Sequence, residues 1–410
     1  MFRSVIFRSL IIFLLISCAG ERYALQNFDY PEPVDTASKK ISIPVRKQYD
    51  LNGIYLDNRF DGSRLNDAKR LNDSTIVVTI APENTPVNNS PWYAFKIWSD
   101  SLQKIYVQLH YQNGSHRYSP KKSADRKNWQ AIATADVKVS PDKKTATFPL
   151  RLGKQALWIA AQPVLNSTDV AAWLNGLKNN PLTYGFASAG KSVQQKEIPF
   201  FKIGQPGGKK KKVILLFSRQ HPPEITGFLA LQSFVDELIR KDSLSARFYR
   251  QYEFWVFPLI NPDGVDLGHW RHNAHGVDLN RDWAYFNQPE TRAVRDFAVN
   301  EANKTRQQVV LGIDFHSTFK DLYYVNEASK YPVTQYFPSA WTNSIDRLTG
   351  FKTYYDPSPI KKPVSKAWFY YQFGASGITY EVGDQTPVHL IDQKARAAAV
   401  SLMNLLWQAE

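Results

Sequence analysis

Apolar residues fall in two textures along this chain. Up to about Leu152 they form short runs of branched and aromatic residues: Thr75-Ile76-Val77-Val78-Thr79-Ile80, Trp92 to Trp98, and Ile105 to Tyr111. Asn, Asp, Gly and Pro separate these runs, and the stretch 133–150 adds two more, broken by Ser140-Pro141-Asp142. Such spacing predicts an all-β sandwich over residues 46–153. Beyond Gly153 the pattern turns to buried strands alternating with amphipathic helices. Strands are expected at 157–160, 197–203, 213–217, 254–260, 308–315 and 378–380. Helices are expected from Ser167, at 225–240, 290–301, 333–348 and 390–407. The alternation predicts an α/β domain over 154–410, with a mixed, mostly parallel sheet covered by helices on both faces.

Ligands of such sheets gather beyond the carboxyl ends of the strands. His221, the Asn261 turn, His316 and Glu381 each follow an apolar run at that end. His221 and Glu224 enclose Pro222 and Pro223, and a residue before proline is pushed out of the helical region. The pair is therefore expected to bend around a metal ion, with Glu224 opening the next helix, rather than to sit one turn apart on a helix. A catalytic zinc takes three protein ligands and leaves one position open. His316 is the best third candidate from its place at a strand end. The cluster His269, His272 and His275 competes as a metal site of its own, although its loop shows no apolar scaffold nearby.

Composition sets outer bounds. The 410 residues suffice for two domains, and 43% hydrophobic content with 21% charged is ordinary for a globular protein. The net charge of +14 is spread out. Its one dense run, Lys209 to Lys212, reads as a solvated hairpin tip, and without interleaved aromatics it gives no nucleic-acid footprint. The single cysteine, Cys18, excludes an internal disulfide. Arg3 and Arg8, the apolar run Leu10 to Ile16 and then Leu15-Ile16-Ser17-Cys18 form a signal peptide over 1–17 ending in a lipobox. The expectation is an exported bacterial lipoprotein, periplasmic or at the cell surface, membrane-held only through a lipid on Cys18. Residues 18–45, polar and punctuated by proline, read as a lipidated tether.

Taken together, three motifs carry a resemblance. Arg219-Gln220-His221-Pro222-Pro223-Glu224, Asn261-Pro262-Asp263-Gly264-Val265 and Gly276-Val277-Asp278-Leu279-Asn280-Arg281-Asp282-Trp283 resemble the zinc metallocarboxypeptidase (carboxypeptidase A) family. His316-Ser317 and the Glu381 strand complete the family's order. The likeness is to the cytosolic-carboxypeptidase branch, whose first motif reads Gln-His-Pro-Gly-Glu and which places a β-domain before the catalytic one. Trp92-Tyr93-Ala94-Phe95, Tyr118-Ser119-Pro120 and Trp129 are similar to landmarks of that β-domain. The resemblance implies one zinc ion held by His221, Glu224 and His316, and Glu381 as the base. It implies Arg271 as the group facing the developing oxyanion, with Asn280 and Arg281 clamping the substrate's terminal carboxylate. Asp278 would brace the loop, and the Asn261 turn would be architectural.

The departures are specific. Pro223 stands where the branch has Gly, and Asp282 stands where Asn is commoner. Counting back from Glu381 puts Pro359 at the position of the family's substrate-capping Tyr, with Tyr354, Tyr355, Tyr370 and Tyr371 nearby. The same count puts Lys366 at the floor of the side-chain pocket, which implies preference for an acidic terminal residue. The expected substrate is a peptide with a free terminal carboxylate, acted on by a monomer. An amidase of the same superfamily, cutting cell-wall peptides or N-acyl amino acids, is the alternative enzyme. A non-catalytic binding lipoprotein is the alternative outside enzymes, disfavoured because every inferred ligand, the base and both arginines are present together.

Overall fold

Four parallel strands, Tyr252–Phe257, Lys212–Ser218, Gln308–Thr318 and Ser376–Gly383, lie side by side in that order at the centre of an eight-stranded sheet. In this computed structural model residues 23–207, 210–326 and 328–408 are described. The signal segment and the lipobox with Cys18 lie outside them, as does Lys209. The central strands carry near-continuous apolar runs because both faces are covered, with polar residues such as Asp314, His316 and Glu381 toward their carboxyl ends. Along Lys212–Ser218, Val213, Leu215 and Phe217 enter one core while Ile214 and Leu216 enter the other. Helices Ile225–Leu238, Phe337–Thr349 and Val388–Gln408 cover one face; Pro289–Thr305 and Ser365–Phe373 cover the other. The outcome is a mixed α/β sheet. It is parallel in the middle, with antiparallel pairs on either side, Thr183–Lys191 with Glu197–Ile203 and Leu322–Asn326 with Ser376–Gly383, and a short parallel strand Tyr354–Asp356 at one edge.

Two further sheets, of six and five strands, precede this one. Their inward residues, including Ile54, Phe95 and Ile159 from one sheet and Ile76, Val107 and Phe148 from the other, share a single core. Strand Leu157–Ala160 belongs to the six-stranded sheet, between Ala94–Ser99 and Lys121–Ser123. The change from β to α/β therefore falls after Ala160, not at Gly153. Gly153 reads as a break because a surface turn interrupts the apolar pattern there, while pairing with distant strands leaves no local signal. The basic run is not a hairpin tip either. Glu197–Ile203 and Lys212–Ser218 are both neighbours of Tyr252–Phe257, which lies between them. Among the described residues no helix is long and apolar enough to cross a membrane.

The stretch expected to be a loose tether is instead a strap from Tyr23 onward. It has almost no regular secondary structure, yet Phe28 and Tyr30 are buried in the core beneath helices Pro289–Thr305 and Ser365–Phe373. Phe28 N donates to Ala284 O at 3.1 Å, Glu32 N to Lys361 O at 2.9 Å and Lys39 N to His275 O at 2.7 Å. The anchor is Asp282, the residue at which the motif departs from Asn. Its buried carboxylate accepts from Thr36 Oγ1 (2.5 Å), Asn287 N (3.1 Å), Gln288 N (2.8 Å) and Thr291 Oγ1. Four donors on one carboxylate suit Asp, since the Asn amide would set a donor against donors. Replacing Asp282 by Ala strands these donors and is expected to cost about 2–4 kcal/mol. A lower urea midpoint at unchanged m, with earlier proteolytic cleavage in 23–45, is the measurement; an unchanged midpoint contradicts the role.

Candidate active site

The sharp turn after Lys212–Ser218 begins the site. Arg219 adopts a left-handed backbone (φ +56°) and is fully buried, its Nη2 donating to Leu165 O (3.1 Å) and Pro222 O (3.0 Å). The turn delivers His221 and then Glu224, which forms the N-cap position of helix Ile225–Leu238 without using its side chain as a cap. That side chain is turned toward the imidazoles instead. His221 Nδ1 lies 2.8 Å from Glu224 Oε1, and His316 Nδ1 lies 2.6 Å from Glu224 Oε2. One ligand atom from each of His221, Glu224 and His316 lies within 4.8 Å of the others, and all three residues are buried. The His269 cluster does not form such a group among the described residues.

The outer nitrogens of both rings have carboxylate partners. His221 Nε2 is 2.8 Å from Asp278 Oδ1, and His316 Nε2 is 2.8 Å from Asp314 Oδ2. Such partners fix ring orientation and raise ligand basicity. Asp314 also accepts from Gln220 Nε2 and Ser365 Oγ, while Gln220 Oε1 accepts from Trp283 Nε1 at 2.9 Å. The Gln of the first motif is thus a brace for the second histidine. Asp314 escaped the sequence reading, although its spacing is a usable signal: two residues before His316 on a strand, it shares the same face.

These groups test the fit to a metal. Burial alone would raise the Glu224 carboxyl, but His221 and His316 hold it well below the usual range. Asp278 likewise lies well below its usual range: burial opposes, and Arg271 and His221 outweigh it. Two imidazoles and a carboxylate, backed by two more carboxylates, leave an excess of buried negative charge that a divalent cation would balance. Such a donor set suits zinc.

Glu381 is the register partner of His316 on the adjacent strand. Its Oε2 is buried and has no hydrogen-bond partner among the described residues. Burial pushes its carboxyl up, His316 pulls it back and the Glu224 charge adds to the rise. A cleft of about 620 Å³ opens over this centre. Arg271, Asn280, Arg281 and Lys366 all line it, so the sequence-predicted site residues converge on one cavity. Arg271 Nε donates to Asp278 Oδ2 at 2.7 Å. Asn280 Oδ1 accepts from Ser365 N at 2.9 Å, and Asn280 Nδ2 is 3.3 Å from His316 Nε2. Lys366 Nζ donates to Ser358 O at 3.2 Å, and burial lowers its pKa to about 8.

Other cleft residues were not foreseen. Tyr324 lines the cleft, whereas Tyr354, Tyr355, Tyr370 and Tyr371 do not; Pro359 does. Tyr324 lies on Leu322–Asn326 while its neighbour Tyr323 enters the core, an alternation legible only once the strand is recognised. From the preceding β region come Ser90 and Arg117, and Glu32 comes from the strap. Arg117 Nε donates to Asp384 Oδ2 at 2.8 Å, three residues beyond Glu381, and its guanidinium covers the exposed Phe319 ring at 4.4 Å.

A buried His-Glu-His cradle at the carboxyl ends of parallel strands defines an α/β protein built around one metal ion. The chain belongs to the zinc carboxypeptidase family, whose profile matches residues 170–398, and His221, Glu224 and His316 are the group that fits that family's zinc. It is similar to mouse cytosolic carboxypeptidase 6, 29% identical over 153 residues that span 35% of this chain and 28% of the relative. The Caenorhabditis elegans cytosolic carboxypeptidase 6 is 29% identical over 155 residues, 35% of this chain and 33% of the relative. The chain thus spans under two thirds of these relatives' length. In fold it resembles a metallo-carboxypeptidase from Burkholderia cenocepacia, with TM-score 0.72 and 19% identity over 86% of this chain and 98% of that one. A Pseudomonas aeruginosa metallo-carboxypeptidase in complex with (2-guanidinoethylmercapto)succinic acid aligns with TM-score 0.70 and 18% identity, over 87% and 100%.

Helix Ile225–Leu238 reaches the centre through Gly227. A Cβ there would lie 2.4 Å from His316 O, and Gly227 N donates to Ser317 Oγ at 2.8 Å. Gly227→Ala is expected to push this helix, and Glu224 with it, away from His316. Overpacking of this kind costs about 1–3 kcal/mol. Zinc should be lost at a lower chelator concentration than from the parent; identical retention by metal analysis contradicts this account.

Proposed function

We propose that this protein is a zinc-dependent metallocarboxypeptidase that hydrolyses the C-terminal peptide bond of peptides, with Glu381 as general base. The observation that carries the reading is the half-buried Glu381, whose Oε2 has no hydrogen-bond partner among the described residues, on the wall of the cleft that holds the His221, Glu224 and His316 donors. When bound, zinc polarises the scissile carbonyl and lowers the pKa of a water molecule to ~7. Glu381, facing the cleft beside the donors, takes the proton of the attacking water and delivers it to the departing amine nitrogen. Arg271, locked by Asp278, presents fixed positive charge to the oxygen on which negative charge develops. Asn280 and Arg281 receive the terminal carboxylate, with the guanidinium matching its two oxygens.

The two preceding sheets with their shared core are read as a β-sandwich domain that walls one side of the cleft through Ser90 and Arg117. Export and lipid attachment at Cys18 remain part of the proposal on the strength of the leader pattern. Chelation should abolish peptidase activity and zinc should restore it. Glu381→Gln should keep its zinc and lose activity by ~10³-fold, within the span of general-base contributions. Full activity in that variant, or in metal-free protein, overturns the mechanism.

Charge on the cleft points to the substrate. Arg117, Arg271, Arg281, Lys361, Lys362 and Lys366 line it, against Glu32, Glu224 and Glu381. We infer that Lys366 selects an acidic terminal residue, Glu or Asp. Its lowered pKa of about 8 means that it is cationic below that pH and neutral above it. Preference for Glu-terminated over Leu-terminated peptides should therefore be strongest below pH 8 and fade as pH rises through it. Lys366→Ala should lack the preference at every pH. If the ratio of kcat/KM values is the same for parent and variant, Lys366 is not the selector.

A further inference from the structure

The loop carrying Arg271 is held from outside the sheet on which the metal ligands stand. Glu83 follows strand Thr75–Ile80 of the five-stranded sheet, and its side chain is completely buried. Its Oε2 accepts from Trp270 N at 2.7 Å, and its Oε1 accepts from Arg271 N at 3.1 Å and His272 N at 2.9 Å. One carboxylate thus satisfies three successive backbone donors centred on Arg271. The His272 ring adds to this contact: its Nδ1 lies 2.8 Å from Glu83 Oε1, although not in hydrogen-bonding orientation. Behind Glu83 stands the buried Arg64, whose Nε donates to Ala81 O at 2.6 Å and whose Nη1 donates to Gly268 O at 3.4 Å. The Trp270 ring sits in the core of the N-terminal sheets, with room made for it by Gly114, where a Cβ would lie 2.4 Å from the ring.

We propose that Glu83 is a positioning residue for the reaction, acting through Arg271: it sets the backbone from which the guanidinium reaches the cleft. The inference rests on the role given to Arg271 above. Three N–H groups oriented by one buried carboxylate fix the peptide planes on both sides of Arg271, so the side chain leaves the loop in one direction. Asp278 then needs only to hold its far end. In Glu83→Gln one oxygen becomes an NH2 group, which meets Trp270 N–H or the Arg271 and His272 pair donor to donor. The loop must shift, and a displacement of about 1 Å at a catalytic group can cost 10²-fold in rate. His221, Glu224 and His316 make no contact with Glu83 among the bonds described, so zinc should stay.

The test is a double-mutant cycle. Glu83→Gln is expected to lower kcat by ~10–100-fold, with KM and zinc content near the parent values. On an Arg271→Ala background the same change should have little further effect. Amide exchange of 270–272 in zinc-free protein should be faster in the variant, which reads the loop independently of turnover. Equal losses on both backgrounds, or unchanged exchange at 270–272, overturn the proposal. If Glu83→Gln does not fold, Glu83→Asp, which keeps the charge but shortens the reach, goes through the same cycle. If neither folds, Glu83 serves folding and the proposal fails. A parent protein without chelator-sensitive peptidase activity would instead remove the functional reading, and the exchange measurement alone would decide whether Glu83 holds the loop.

Discussion

A single carboxylate, that of Asp278, joins the metal cradle to the cationic side of the cleft. One of its oxygens faces His221 Nε2 and the other accepts from Arg271 Nε. The imidazole must be turned so that its inner nitrogen meets Glu224, and the guanidinium must be held without neutralising the ligands. Both conditions follow from placing one partly buried anion between them. Its buried charge is stabilised by Arg271 and His221 beyond what burial takes away, so it remains ionised whenever the site is assembled. Losing one partner would leave the other facing an unpaired buried group, the costly case for ion pairs.

That dependence explains the polar anchors of the segment 270–282. No regular strand or long helix runs through it, and from sequence it looks unsupported. In the folded protein its ends are driven into two different cores, Trp270 into that of the N-terminal sheets and Leu279 and Trp283 into that of the catalytic sheet. Between these ends Glu83 and Asn261 take up the backbone. Asn261 caps its own short helix through Gly264 N and also donates to Gln220 O and His272 O. A motif with turn composition is therefore a clamp between the ligand turn and the Arg271 loop. Glu83 and Asp282 bring the N-terminal sheets and the strap to the same segment.

How much of this was legible depends on the range of each contact. The central strands, their helices and the His221, Glu224, His316 and Glu381 positions could be read because each rests on a local pattern: an apolar run, a helical period, a polar residue at a strand end. The strap could not. Its proline-punctuated, polar sequence has no period, and its order comes from Asp282 and from pockets for Phe28 and Tyr30 more than two hundred residues away in sequence. Glu83 is a lone acid in a loop, ordinary in sequence until three backbone donors surround it. Leu157–Ala160 was recognised as a strand but given to the wrong sheet, because its partners are chosen by tertiary packing rather than by its own residues.

Anionic groups gather around the metal donors and cationic groups along the cleft, and this sorting lets the two coexist. Around the donors lie Glu224, Asp278, Asp314 and Glu381; around the cleft lie Arg117, Arg281, Lys361, Lys362 and Lys366. Intermixed, these groups would pair with each other, leaving neither a cradle for a cation nor a surface for an anion. Separation needs restraints, and two of the cations are held by carboxylates of their own. Arg271 is tied to Asp278, and Arg117 is tied to Asp384 and stacked on Phe319. Low-dielectric walls around the cleft focus its positive field, which under the proposed function would draw in an anionic chain end. Arg117 and Glu83 both come from the N-terminal sheets. That region therefore supplies part of the cleft wall and the support of the Arg271 loop, and the site is assembled from both parts of the chain.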